Sequence, residues 1–333
     1  MTKRDPSRRT PSTQGGATRA QFLRRGGAVL AGALAQLAAT GCTDRGSSMP
    51  PDDLAEMRKV DPKLVRYREV GRVDTGLREA RGIAAGADGT LYAVGDQELR
   101  TIQPGGSIAS FPVGGDAQCV AVAGDGAIYV GLGDGVTVLD HAGRIAARWP
   151  AFGQKSLLTS VAAHKDDVWV ADAGARLVYR CDGQGRVGLT LGRKGDPPGY
   201  PGLVAPSPHL DVAVAPDGVV HVVNPGMHRV EAYTRDGAPK GFWGAEGDEI
   251  GQFCGCCNPT DLAILPDGRF VTSEKGLPRV TVFTADGKLD CVVASAETFA
   301  EDAAGLDVAV DANGRVLVLD PKAKAVRIYE AIH

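Results

Sequence analysis

The chain has 333 residues, 43% of them hydrophobic and 5% aromatic, with 45 glycines and 20 prolines, a balance that belongs to a globular protein and excludes a disordered tail or a fibre. Its net charge of −3 is unevenly spread: residues 1–41 carry seven Lys or Arg against one Asp, and after Gly41 30 basic residues face 39 acidic ones, a net −9. So acidic a body argues against nucleic acid as a partner, and no apolar run beyond residue 42 approaches the roughly 20 residues of a membrane helix.

Residues 1–41 read as an export signal. Arg8, Arg9, Arg19, Arg24 and Arg25 form a basic region ahead of a 15-residue apolar run, Gly26 to Thr40, too short to span a bilayer. Thr18 to Arg24 resembles a twin-arginine motif with Ala20 in place of the second arginine, which leaves the export route open. Ala39-Thr40-Gly41-Cys42 resembles a bacterial lipobox, whose small residues admit a peptidase before a Cys that takes lipid. Cys42 is therefore expected as the first mature residue, anchoring the protein on the extracytoplasmic side of the cell envelope; the plainer reading is an ordinary thiol. Residues 42–62, polar and rich in Pro and Gly, read as a flexible tether.

Residues 63–333 repeat a unit of four short strands. Six copies align on their first turn, at Asp88-Gly89, Asp125-Gly126, Asp166-Asp167, Asp217-Gly218, Asp267-Gly268 and Asn313-Gly314. Period-2 alternation between Asp-Gly turns signals hairpins, and four strands per period signal a propeller blade. The last copy lacks a fourth strand, while an extra strand-like run, Val65 to Val73, precedes the first. The expected fold is all-β: a six-bladed propeller of four-stranded antiparallel blades, its last blade closed by the N-terminal strand so that no edge stays open.

Trp243-Gly244, Gly247, Gly251-Gln252-Phe253, Pro259, Ala263, Asp267-Gly268 and Arg279-Val280 resemble the NHL-repeat pattern, whose later half recurs in copies three, four and six. The resemblance spans about four-fifths of the chain and, with the lipobox, looks like a group of exported bacterial NHL-repeat proteins. It implies a binding scaffold, and in a minority of such propellers lyase or hydrolase activity around a central metal.

Strand order places every chemically unusual residue on the face that carries the loops entering each first strand. Asp211, Asp261 and Asp307 occupy equivalent first-strand positions, with Gly82, Cys119 and Ser160 in the other copies. They converge on the axis, either to hold a cation or to accept hydrogen bonds from the next blade. His209 and the loop Cys254-Gly255-Cys256-Cys257 lie on the same side. The three thiols suit a disulfide to Cys119 or Cys291, a vicinal disulfide between Cys256 and Cys257, or ligation of a soft metal with help from His209. Asp172, Asn224, Glu274 and Asp320 read as loop caps, and Arg229 and Arg279 as blade-to-blade struts. His209, Asp211, Cys254, Cys256, Cys257, Asp261 and Asp307 are thus the candidate ligands of a divalent or copper ion, no cofactor being identified. The function expected is a monomeric, membrane-tethered scaffold that binds a protein, glycan or small molecule without catalysis. The alternatives are a metal-dependent lyase or lactonase at the channel mouth and a copper- or redox-handling protein.

Overall fold

A computed structural model of the protein describes residues 56–332 except Gly199. The expected export signal at 1–41, the expected lipidation site Cys42 and the expected tether up to residue 55 lie outside the described residues. Strand β1 (Tyr67–Asp74) precedes the first blade, formed by β2 (Ala80–Ala85), β3 (Leu91–Gly95), β4 (Glu98–Ile102) and β5 (Ile108–Pro112). The second blade is β6 (Cys119–Val122), β7 (Ile128–Gly131), β8 (Val136–Leu139) and β9 (Ile145–Arg148). The third is β10 (Leu158–His164), β11 (Asp167–Asp172), β12 (Leu177–Cys181) and β13 (Val187–Leu191), and the fourth β14 (Val212–Val214), β15 (Val220–Asn224), β16 (Arg229–Tyr233) and β17 (Pro239–Trp243). The fifth is β18 (Asp261–Ile264), β19 (Phe270–Glu274), β20 (Arg279–Phe283) and β21 (Leu289–Ala294), and the sixth begins with β22 (Asp307–Val310), β23 (Val316–Asp320) and β24 (Ala325–Ala331).

β1 completes the sixth blade by pairing antiparallel with β24, Tyr67 opposite Ala331 and Asp74 opposite Ala325. The inner strands β2, β6, β10, β14, β18 and β22 each pack on the next, and β22 returns to β2. The fold is therefore the six-bladed propeller expected, closed by its N-terminal strand, and the main-chain groups along β24 are paired rather than left as an edge.

Hydrophobic burial follows from this geometry. Among the described residues there are six apolar wedges, one between each pair of neighbouring blades, such as Val94, Leu99, Val120 and Val130 between blades one and two and Phe253, Leu262, Phe270 and Phe283 beside Val223 and Val230 between four and five. Second strands are covered on both faces, and β11, β15, β19 and β23 are buried at every residue, polar ones such as Asn224, Ser273 and Glu274 included. The outer strands β5 and β9 are mostly exposed.

The turns differ in detail from the two-residue form expected. In blade one Gly89 N donates to Gly86 O and Gly86 N to Thr90 O, so Asp88-Gly89 closes a wider turn in which Gly89 takes φ +83°, a conformation that favours glycine. In blade three β11 already begins at Asp167. Its turn is Lys165-Asp166 rather than Asp166-Asp167, with Lys165 at φ +54°.

Candidate functional site at the channel mouth

The inner strands bring Gly82, Cys119, Ser160, Asp211, Asp261 and Asp307 around one axis, and local packing decides which of these positions carries a carboxylate. A Cβ on Gly82 would lie 2.9 Å from Cys119 Cα and from Gln118 O, so blade one has no room for a side chain there. Cys119 fits because Gly131 lies opposite it, where a Cβ would meet its sulfur at 2.4 Å.

Most of these side chains bond to the next blade. Asp307 Oδ2 accepts from Ile83 N (2.6 Å), Asp211 Oδ2 accepts from Leu262 N, and Ser160 Oγ accepts from Val212 N (3.3 Å). Each donor is the amide just after the neighbour's ring position. Asp211 and Asp307 also accept from their own following amides, Val212 N (2.8 Å) and Val308 N (2.9 Å).

Asp261 departs from this pattern. Its Oδ2 lies 2.9 Å from Ser273 Oγ, which is also 2.8 Å from Leu306 O. A serine hydroxyl has one proton and a carbonyl can only accept. A protonated Asp261 that donates to Ser273 Oγ leaves the serine proton for Leu306 O and satisfies both contacts. Burial, then the charge of Asp211, outweighs the hydrogen bonds of Ser273 and Thr260 and pushes Asp261 up to about 7. Asp307 is raised well above the usual carboxylate range by burial and then by Asp261. Asp211 is raised by burial, against the pull of its Ser160, Leu262 and Val212 donors. Burial, with Asp307 and Asp211 adding to it, also raises the Cys119 thiol and keeps it protonated.

Above the carboxylates opens a cavity of about 290 Å³, lined among others by Arg81, Gln118, Thr159, His209, Asp261 and Asp307. A second cavity of about 100 Å³ shares several of these residues and adds Cys119, Ser160 and Asp211. Burial, with the charge of Lys275, pushes His209 down to about 3, so its ring is neutral. Arg81 spans the rim: Nη1 donates to Gln118 Oε1 (2.9 Å), and its guanidinium pairs with Glu79 (3.3 Å) and Asp116 (3.5 Å). Arg81, Gln118 and Thr159 were not singled out in the sequence. They directly precede the ring positions Gly82, Cys119 and Ser160, and stepping one residue back from each ring position would have found them.

The structure divides the seven candidate ligands. His209, Asp261 and Asp307 meet at the mouth, Asp211 lies beneath, and the cysteines occupy a separate loop on the same face. Among the described residues no three or more His, Cys, Asp or Glu side chains form a group that could hold a metal ion. His228 and Asn258 clamp the cysteine loop: His228 Nε2 lies 2.6 Å from Gly255 O, while Asn258 Nδ2 donates to Cys254 O (2.7 Å) and Lys275 O (3.0 Å). Lys275 N donates back to Asn258 Oδ1 (2.9 Å) and Lys275 Nζ to Ser207 Oγ (2.8 Å), tying this loop to the one that carries His209. The disulfide expected from the loop to Cys119 or Cys291 is not formed. Cys119 faces Gly131 in blade two, and Cys291 is buried between blades five and six. No disulfide joins any cysteines among the described residues.

The expected caps are present. Asp172 Oδ1 accepts from Leu157 N and Ala175 N, Asn224 Oδ1 from Val204 N, and Asp320 Oδ1 from Ala323 N. Glu274 accepts from the Cys254 amide and also pairs with Arg279, and Arg229 pairs with Glu231 (2.5 Å). Both arginine links are within one blade rather than between blades, because each arginine opens the third strand beside an acid of its own hairpin.

Fold and site together define a class, the six-bladed β-propeller whose axial channel closes on three carboxylates. No family model matches the chain, and no curated protein matches it. Among solved structures it is similar to a streptogramin B lyase (11% identity, covering 80% of this chain and 98% of that one, TM-score 0.58). It is similar also to regucalcin, a calcium-binding protein from Agrobacterium tumefaciens (16% identity, 78% and 93% covered, TM-score 0.57), and to a protein of unknown function from Bacteroides thetaiotaomicron (18% identity, 79% and 75% covered, TM-score 0.56). At these identities the likeness is one of fold.

Proposed function

We propose that this is a membrane-tethered, extracytoplasmic propeller of NHL type that binds a small polar ligand at the mouth of its axial channel. The observation that carries the reading is the cavity whose floor is Asp261 and Asp307 and whose wall includes a neutral His209. A concave site with a few convergent polar groups of shifted pKa is where a scaffold places recognition. With Arg81 already engaged by Glu79 and Asp116, the floor favours a ligand that presents a cationic or hydrogen-bond-donating group. Saturation-transfer NMR against a panel of amines, amino acids and monosaccharides is expected to yield binders whose affinity falls about tenfold or more in Asp307→Asn, the loss expected for one charge-assisted hydrogen bond. Binders indifferent to both Asp307→Asn and Thr159→Val would place recognition elsewhere.

A second reading, lyase- or lactonase-type chemistry at the same mouth, is supported by Asp261, which titrates near neutrality beside His209 as an acid–base group should. A divalent ion present in stoichiometric amount in the purified protein and lost in Asp261→Asn would favour it.

The tether is tested separately. Cys42→Ser is expected to abolish incorporation of labelled fatty acid and to move the protein from the membrane fraction to the soluble extracytoplasmic one, since lipid supplies the anchor. A membrane-bound, unlabelled wild type would remove lipidation from the reading.

A further inference from the structure

We propose that Cys256 and Cys257 form a thiol–disulfide exchange site, independent of the channel mouth, whose substrate is a small-molecule disulfide. Their sulfurs are 2.9 Å apart, closer than two sulfurs that merely pack and not yet at the roughly 2.05 Å of a bond. Cys256 is exposed, and Cys257 is only 1% exposed, the arrangement of an attacking thiol that meets the substrate and a resolving thiol that does not. The loop is held for the reaction. His228 fixes Gly255, Asn258 fixes Cys254 and Lys275, and Gly255 takes φ +75° to turn the chain between the cysteines.

The chemistry balances as ordinary exchange. The Cys256 thiolate attacks one sulfur of the substrate disulfide, forming a mixed disulfide and expelling one thiolate. The Cys257 thiolate then attacks the Cys256 sulfur, closing the vicinal ring and expelling the second. The substrate is reduced to two thiols, and the protein is oxidised by two electrons. Neighbouring residues have Cα atoms about 3.8 Å apart, below the roughly 4.4–6.8 Å that disulfides usually span. The ring is therefore strained and readily reduced, which suits a site that cycles rather than one that staples the fold. Cys254 takes no part: it is buried, with Asn258 holding its carbonyl.

The test uses the full chain, first reduced and then equilibrated with excess oxidised glutathione, alkylated under denaturing conditions and mapped by mass spectrometry. The expected result is loss of two alkylatable thiols and two hydrogens, confined to Cys256 and Cys257, reversed by dithiothreitol and unchanged in Cys254→Ser. Cys257→Ser should trap a glutathione adduct on Cys256, and Cys256→Ser should abolish the reaction. A bond from Cys254 to either neighbour, a stable adduct on wild-type Cys256 with Cys257 still alkylated, or no change at all would each overturn the proposal.

Discussion

Replacing Arg279 with leucine is expected to destabilise the propeller by about 3–5 kcal/mol, the usual cost of removing one partner from a buried ion pair. Arg279 and Glu274 are 4% and 1% exposed, and they meet in a fork: Nε to Oε1 at 2.9 Å and Nη2 to Oε2 at 3.1 Å. The pair is directly cross-strand, Glu274 ending β19 and Arg279 opening β20. Burial already raises Glu274, and the charge and hydrogen bonds of Arg279, followed by the Cys254 amide, restrain it. Without the arginine the carboxyl must stay ionised and uncompensated or take up a proton, so the loss should shrink as pH falls. The double variant Glu274→Met, Arg279→Leu should recover most of the loss, because the pair then costs no desolvation. Urea unfolding of the wild type and these two variants decides it. A single-variant cost below about 1 kcal/mol, or a double variant no better than the single one, would show that the buried pair does not hold the hairpin as described.

The same hairpin position shows what sequence discloses and what it does not. The sequence pattern marked Glu274 as a loop cap and Arg279 as a blade-to-blade strut and did not pair them, although strand ends joined by a short loop face each other. It did not announce the partner of Arg229. Asn224 stands where blade five has Glu274, and Arg229 turns to Glu231 on its own strand, with Asn224 Nδ2 bonding the same carboxylate at 2.9 Å. The blades themselves were legible because Asp-Gly turns and alternating apolar residues are local signals. Closure by β1 was legible because the sixth copy lacked a strand. The site was legible only as a set of positions. That Asp211, Asp261 and Asp307 converge follows from the repeat, whereas the deviation of Asp261 depends on Ser273 and Leu306, contacts made 12 and 45 residues away in sequence. Likewise, the sequence left three fates for the cysteine loop, because nothing local states where His228 and Asn258 will clamp it.

Asp261→Asn is expected to stabilise the protein at pH 8 by about 2–4 kcal/mol, by progressively less as the pH falls, and by nearly nothing below pH 4. The sign follows from linkage. Asp261 titrates at about 7 in the folded protein against an ordinary value of 3.8, so between these values the folded state holds a proton that the unfolded state has released. Wild-type stability then falls as pH rises from about 4 to 7 and levels off above, by about 1.36 kcal/mol per unit of pKa difference. Asparagine has no such dependence. Its Nδ2 can donate to Ser273 Oγ as the protonated carboxyl does, and the substitution removes one of three mutually repelling carboxyls. The groups that bear on Asp261 are Asp211 and Asp307 around the channel and His209 and Arg81 above it. His209 stays neutral over this range, which leaves the other two carboxyls as the groups whose titration overlaps. Asp307→Asn should therefore move stability in the same direction, and the two effects should fall short of additivity because each removes part of the other's repulsion. Thermal unfolding from pH 4.5 to 8.5 with chelator present measures the curve. A bound divalent cation would hold Asp261 ionised and reverse the sign, so that Asp261→Asn destabilises until chelator is added. A reversal of this kind would turn the mouth from a site of proton-dependent recognition into a metal centre.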